Sequence, residues 1–275
     1  MKLSVIIPNY NMRAKIDQCL GSIYAQGADE SQFEVVVCDS SDDDSMEQLK
    51  KWCARKGNLK VMHSHRRLAC GSARNLAVSK SSGDYVLCLD VDDRLAGKDV
   101  LVKLLDGLDG KDIYACSYIS RREKKEVVLK PQDMSQLARM PVAIWTKAFK
   151  RDLWVNEPPY MPEDVWPHYL LVDKCRSFGS FEFAVVDYDN TPENKGAISR
   201  TFDWLVMHPC NLMQLADSGE LQKLGLREEY VAGVIHNLAD MWARKDDLRQ
   251  PEVKSAFINR FRKEYSNFMS GIYVH

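Results

Sequence analysis

The stretch Val86-Leu-Cys-Leu-Asp-Val-Asp-Asp93 decides how this chain reads. An apolar run passes directly into the carboxylates of Asp90, Asp92 and Asp93. Like charges this close repel one another and gain nothing from burial. A strand that ends this way puts its tip at a ligand or in a solvated turn, not in a core. Apolar runs at residues 3–7, 33–38 and 59–62 precede the one at 85–89. Each is short, rich in Val, Ile or Leu, and not alternating, as expected of strands covered on both faces of a parallel sheet. Amphipathic stretches lie between them. Ile16, Leu20, Ile23 and Tyr24 share one helical face, as do Leu49, Trp52 and Cys53, and then Ala73, Leu76, Ala77 and Lys80. Strand and helix alternate about every 25 residues, which predicts βαβ units and an α/β fold.

Farther along, a helix is expected over 100–108 and a strand over 113–118, followed by a mixed region broken by prolines. Residues 189–196 read as a loop. Helices are expected near 202–217, 227–245 and 253–268, punctuated by Gly219, Gly225 and Pro251. The 275 residues carry 45% hydrophobic and 28% charged side chains and a net charge of −1, so no global basic field points to nucleic acid. The eight cysteines form no C-x-x-C pair and several lie in apolar runs, which predicts reduced, mostly buried thiols and argues against structural zinc. The first residues are too short for a signal segment, and no run approaches the ~20 apolar residues of a membrane span. The expected setting is cytoplasmic, with attachment to the inner face of a membrane as an option.

In an open α/β sheet, ligands bind beyond the carboxyl ends of the strands. Three early runs end there in polar or turn-forming residues: Pro8-Asn-Tyr-Asn11, Asp39-Ser-Ser-Asp-Asp-Asp44 and Asp90-Val-Asp-Asp93. For Asp90 and Asp92 two readings stand. They could hold Mg²⁺ or Mn²⁺ against a diphosphate, since these ions favour oxygen ligands, or Asp92 or Asp93 could cap a following helix. Asp39 could accept from a base N–H or a ribose hydroxyl, or it could open an acidic turn before the next helix. Asp42, Asp43 and Asp44 read as that turn.

Four blocks in this order, "LSVIIPNYN", "VVVCDSSDDDS", "GSARNLAVSKSSGDYVLCLDVDD" and "AIWTKAFKRDLW", resemble the family 2 glycosyltransferases of GT-A fold, and so does the "PED" before Val165. The resemblance covers roughly residues 3–200. It implies a Rossmann-like, mostly parallel central sheet flanked by helices, with a helical C-terminal extension. The expected domains are 1–200, with a nucleotide-binding half (1–93) and an acceptor-binding half (94–200), and then 201–275. It also implies a nucleotide-diphospho-sugar donor, usually UDP-linked, a divalent metal (Mn²⁺ or Mg²⁺), and inversion at the anomeric carbon. Residue by residue, it sets Pro8 and Tyr10 against the nucleoside, Asp39 at the uracil and Arg74 beside base and ribose. Asp90 and Asp92 match the D-x-D, with Asp92 the metal ligand. Asp164 matches the general base, Glu163 its acceptor-side neighbour, and Trp145 an aromatic flanking the acceptor cleft. The chain departs from the family where Cys38-Asp-Ser-Ser41 replaces the common Asp-Asp-Gly-Ser and where Val91 fills the D-x-D middle.

Glu163 and Asp164 after Pro162 also read as the acidic first turn of a helix. Ser199 and Arg200 read either as part of a closing lid or as a surface turn. The six histidines show no metal spacing, with His168 and His208 the outside candidates for a third ligand. The acceptor is expected to be a glycan, a lipid-linked glycan or another hydroxyl-bearing molecule. Basic residues of the tail leave a nucleic acid acceptor as a further option, and the C-terminal helices could form a homodimer. The rival activities are a sugar-phosphate nucleotidyltransferase, which would need a glycine-rich basic loop that Pro8–Arg13 lacks, and a non-catalytic nucleotide-sugar-binding module.

Overall fold

The structure is a computed structural model and describes residues 1–154, 156, 164–191, 193–194, 246 and 248–259. The four apolar runs form strands β1 (Leu3–Asn9), β2 (Phe33–Asp39), β3 (Leu59–His63) and β4 (Tyr85–Cys88), joined by helices α1 (Arg13–Tyr24), α2 (Ser45–Cys53) and α3 (Cys70–Ser79). Then follow β5 (Arg94–Leu95), α4 (Val100–Gly107), β6 (Ile113–Ser120), β7 (Lys125–Val127), α5 (Met134–Arg139), β8 (Lys147–Lys150), α6 (Val165–Lys174) and β9 (Phe178–Tyr188). The described strands form one sheet in the order β3-β2-β1-β4-β8-β6-β9-β5, with β7 on β6. The β3-β2-β1-β4 half is parallel. β8 then runs antiparallel to both β4 and β6, and β9 returns parallel to β6 through a bulge.

Helices cover both faces of the parallel half, so β1 and β2 are buried along their whole length. Leu3, Val5 and Ile7 pack on one face with Ile16, Cys19, Leu20 and Ile23 of α1. Ile6, Val36 and Cys88 pack on the other with Ala73, Ala77 and Val78 of α3. Two local expectations are corrected. β3 lies at the edge of the sheet, so only Leu59 of its residues is buried. Leu76 is exposed and Lys80 lies beyond α3, because the helix turns Gly71, Ala73, Arg74, Ala77 and Val78 inward. The inward arginine is part of the site below.

At the other end of the parallel strands, Glu34 of β2 is fully buried. It accepts from Ser4 Oγ (2.7 Å), Ser82 Oγ (3.0 Å) and the backbone N–H groups of Ser82 and Gly83, and pairs with Lys60 Nζ at 2.6 Å. The chain approaches so closely that a Cβ on Gly83 would sit 2.6 Å from the Ser4 nitrogen, so only glycine fits. Burial raises the Glu34 carboxyl, but the bonds from Lys60, Ser4 and Ser82 outweigh it and hold the group at about 2. A depressed carboxylate contributes stability that is present above the unfolded value of 4.5 and lost as pH falls toward 2. Glu34→Gln is therefore expected to lower unfolding free energy by roughly 3 kcal/mol at neutral pH. Urea melts at pH 7 and pH 3 should show that gap shrinking on acidification.

Residues 251–259 form a helix that Pro251 opens, a position where its missing N–H costs nothing. Val253 and Phe257 bury against α6, with the Phe257 ring edge-on to Tyr169 at 5.0 Å, and Gln250 Nε2 donates to the Cys175 carbonyl at 2.9 Å. The expected helices at 202–217 and 227–245, and Ser199 and Arg200, lie outside the described residues.

Candidate active site

Beyond β4 the chain turns tightly. The Leu89 N–H donates to the Ile6 carbonyl and the Asp93 N–H to the Asp90 carbonyl, each at 2.9 Å. It then enters β5, and the next helix starts only at Val100. Asp92 and Asp93 therefore cap no helix. Asp90 accepts from Arg74 Nη2 at 2.8 Å, and Arg74 Nη1 donates to Asp164 Oδ1 at 3.0 Å. One guanidinium, only 2% exposed, thus ties the end of β4 to the start of α6. Asp164 precedes α6 but makes no capping bond, so its side chain serves this contact instead of the helix. Burial pushes its carboxyl above the usual range, the Arg74 charge opposes that, and Asp90 adds to it.

Asp92 accepts from Asn194 Nδ2 at 2.8 Å, and burial and the Asp90 charge raise its carboxyl. Asp93 accepts from the Asp189 N–H at 2.7 Å. Its Oδ2 is buried with no partner among the described residues. Burial, then Asp92 and Asp90, push its carboxyl well up. An outer ring of ion pairs holds the loop that delivers Asn194. Asp189 pairs with Lys15 at 3.1 Å and Arg121 at 3.0 Å, and Asp187 with Arg121 at 2.7 Å and Arg94 at 2.8 Å.

These oxygens suit a hard divalent cation. They repel one another, one is orphaned, and Mg²⁺-type sites commonly use one or two carboxylates plus substrate phosphates. Among the described residues, no three His, Cys, Asp or Glu side chains could hold a metal by themselves. The fit therefore requires further oxygens from a ligand.

Asp39, at the tip of β2, is fully buried. Its Oδ1 accepts from Asn9 Nδ2 (2.7 Å) and Ser41 Oγ (2.6 Å), and its Oδ2 lies 2.8 Å from His63 Nδ1. Asp43, not Asp39, takes the local turn bond, from the Ser45 N–H at 2.9 Å. Pro8 is buried in β1, in register with Cys38, and Tyr10 is half-buried beneath the Arg67 guanidinium at 4.6 Å. Trp145 is 7% exposed and packs on Tyr118 (5.0 Å, edge-on) and Tyr188 (4.8 Å). Nearby, Lys147 is fully buried, with Nζ donating to the Pro141 and Ala143 carbonyls and to Thr146 Oγ1 (2.9, 3.0 and 2.7 Å). That anchors the turn carrying Ile144, whose backbone N–H reaches Asp164.

The structure thus joins Arg74, Asp90 and Asp164 directly. It places Asp92 with Asn194 and builds a second cluster around Asp39. Glu163 and His208 lie outside the described residues. His168 is buried with Nε2 3.1 Å from the Ala138 carbonyl, and its backbone N–H donates to the Asp164 carbonyl at 3.0 Å. Asn9, Ser41, His63, Lys15, Asn194 and Lys147 are not singled out by sequence reasoning. The signals available were polar side chains at a strand tip for Asn9 and Ser41 and the loop composition of 189–196 for Asn194.

Residues 4–187 match the family described as "Glycosyl transferase family 2". The chain is 31% identical over 128 residues to the poly(ribitol-phosphate) β-N-acetylglucosaminyltransferase TarS of Staphylococcus aureus. That match covers 41% of this chain and 22% of the relative, so the chain spans about a fifth of that length. A poly(ribitol-phosphate) β-glucosyltransferase of Bacillus spizizenii is 31% identical over 103 residues, covering 37% of this chain and 16% of its own. Among solved structures, S. aureus TarS 1–349 in complex with UDP-GlcNAc superposes with a TM-score of 0.62 at 19% identity, over 99% of this chain and 82% of that one. The mannosyltransferase PcManGT of Pyrobaculum calidifontis, with GDP-Man and Mn²⁺, does so at 0.57 and 19%, over 98% and 79%. The fold is that of the GT-A transferases.

Proposed function

Because the chain belongs to glycosyl transferase family 2, we propose that it moves a sugar from a nucleotide-diphospho-sugar, UDP-linked, to an acceptor hydroxyl with inversion at the anomeric carbon. The observation that carries this reading is the Arg74 bridge, which holds Asp90 of the D-x-D and Asp164 at 2.8 and 3.0 Å from one guanidinium. It couples a diphosphate-side carboxylate to a carboxylate suited to proton abstraction. Inversion requires the acceptor oxygen to enter on the face of the anomeric carbon opposite the diphosphate. Asp164, ionised, accepts the proton as the acceptor oxygen attacks. Asp92, with Asp90 beside it, would hold a divalent cation together with the diphosphate. Such an ion supplies positive charge where the leaving group gains negative charge.

The tips of β1 and β2, with Pro8, Tyr10 and Asp39, form the nucleoside end. Trp145 and Glu163 belong to the acceptor side of the 94–200 half. UDP-GlcNAc in one structural neighbour and GDP-Man with Mn²⁺ in another support the donor class and the ion. Relatives named for poly(ribitol-phosphate) support a hydroxyl-rich glycan or polyol polymer as acceptor. Buried free thiols at Cys19, Cys38, Cys116 and Cys175 support a cytoplasmic setting. Among the described residues, no helix is long and apolar enough to cross a membrane.

The test is release of nucleoside diphosphate from a panel of UDP-, GDP- and dTDP-sugars, with Mn²⁺ and with EDTA, in the presence of glycan and polyol-phosphate acceptors. Acceptor-dependent UDP release that EDTA abolishes is expected. Product formation from sugar phosphate plus nucleoside triphosphate would contradict the reading.

A further inference from the structure

We infer that His63, not Asp39, presents the hydrogen-bond acceptor that reads the nucleobase. This rests on the UDP-sugar reading above. A carboxylate at the tip of β2 is well placed along the chain to accept a base N–H, but here its side chain has no accessible surface. Three donors already hold it: Asn9 Nδ2, Ser41 Oγ and the His63 ring. They are themselves cross-linked. Asn9 Nδ2 also lies 3.1 Å from Ser41 Oγ, which accepts from the Asn11 N–H at 2.8 Å. The backbone closes the same cluster, with the Ser64 N–H on the Asp39 carbonyl at 2.9 Å and the Ser40 N–H on the Asn9 carbonyl at 3.0 Å. A base could reach Asp39 only by taking this cluster apart.

His63 sits directly beside Asp39, in the last register pair of β2 and β3. Its side chain is 25% exposed. Facing a carboxylate at 2.8 Å, Nδ1 carries the hydrogen. In its neutral form the ring then bears its lone pair on Nε2. Nε2 has no partner among the described residues, and the ring is braced edge-on by His65 at 4.9 Å and 83°. β3 is parallel to β2, so this nitrogen lies at the carboxyl ends of the strands, where ligands of such sheets bind. The dyad moves the acceptor outward by one imidazole ring, from a sealed carboxylate to an accessible nitrogen of fixed tautomer. An acceptor there matches the imino N3–H of uracil.

Titration calorimetry of the full chain with UDP and with N3-methyl-UDP, at pH 8 with Mn²⁺, tests this. The wild type should prefer UDP by on the order of tenfold, the effect of one lost hydrogen bond at a desolvated site. Asparagine places its amide near the Nδ1 position and glutamine near Nε2, so the two variants separate the roles of the ring. His63→Asn keeps a donor for Asp39 and removes the outward acceptor, and should bind both nucleotides alike. His63→Gln should retain the preference. A preference kept by His63→Asn and lost by His63→Gln would show that the ring only holds Asp39, and would overturn the inference. So would a wild type that binds both ligands equally. A wild type that binds no UDP would overturn the UDP-sugar reading, and this inference with it.

Discussion

Asp164→Asn is expected to lower turnover by about 10²–10⁴-fold, the usual worth of a positioned general base, while leaving UDP binding unchanged. Asparagine keeps the shape of the side chain and an oxygen for Arg74 Nη1, so the bridge to α3 survives. It cannot take a proton. Steady-state rates and calorimetry on the same preparation check both halves. If the variant turns over at the wild-type rate, proton removal happens elsewhere. If wild type and variant bind the donor alike and neither transfers sugar, the chain is a binding module. The wild-type pH profile carries a further sign. Burial raises the Asp164 carboxyl above the ordinary range, and a general base must be ionised, so activity falls as pH drops through that raised value.

Removing the Arg74 guanidinium carries the second large effect. Arg74→Ala leaves Asp90 and Asp164 facing each other with their shared cation gone from a nearly inaccessible position. Breaking such a buried pair costs about 3–5 kcal/mol of unfolding free energy. Arg74 is also the strongest influence holding the Asp164 carboxyl down. Without it, the acidic limb of the rate profile should move to higher pH. A carboxyl raised in the folded state binds protons that the unfolded chain does not, so its penalty is present above the folded value and fades as pH falls. The variant should thus regain stability on mild acidification, as the retained Asp164 protonates. Arg74→Lys should recover only part of the loss, because one ammonium does not span two carboxylates as a planar fork does. Denaturant melts and rate profiles over the same pH range check this. An unshifted limb would show that Arg74 does not act through Asp164.

The parallel half of the fold was legible because its four runs are short, apolar and spaced by amphipathic helices. The crowded carboxylates of 90–93 marked the candidate site because their repulsion has few explanations other than a cation or a turn. What could not be read was pairing across the fold. For Arg74 the resemblance implied only a place beside base and ribose, and the helical pattern put Leu76 on the buried face. Nothing in the local pattern announces that carboxylates from β4 and α6 draw the arginine inward and leave Leu76 in solvent. His63 ends an edge strand and carried no spacing signal, since its partner Asp39 lies 24 residues away and meets it only through β2–β3 register. Lys147 was hidden for the opposite reason. It sits in a quoted motif, but its burial depends on carbonyls of a turn that only the folded chain brings together. Asn194 came from a loop readable as a loop, and its reach to Asp92 depends on the ion pairs of Asp187 and Asp189.

In the proposed reading, the acidic tip of β4 holds a cation against a pyrophosphate. Crystals grown with UDP and MnCl₂, measured at the manganese absorption edge, address it most directly. An anomalous peak between the Asp92 carboxylate and the diphosphate is the expected result. UDP bound with its phosphates remote from Asp90 and Asp92, and no manganese at that tip, would contradict it.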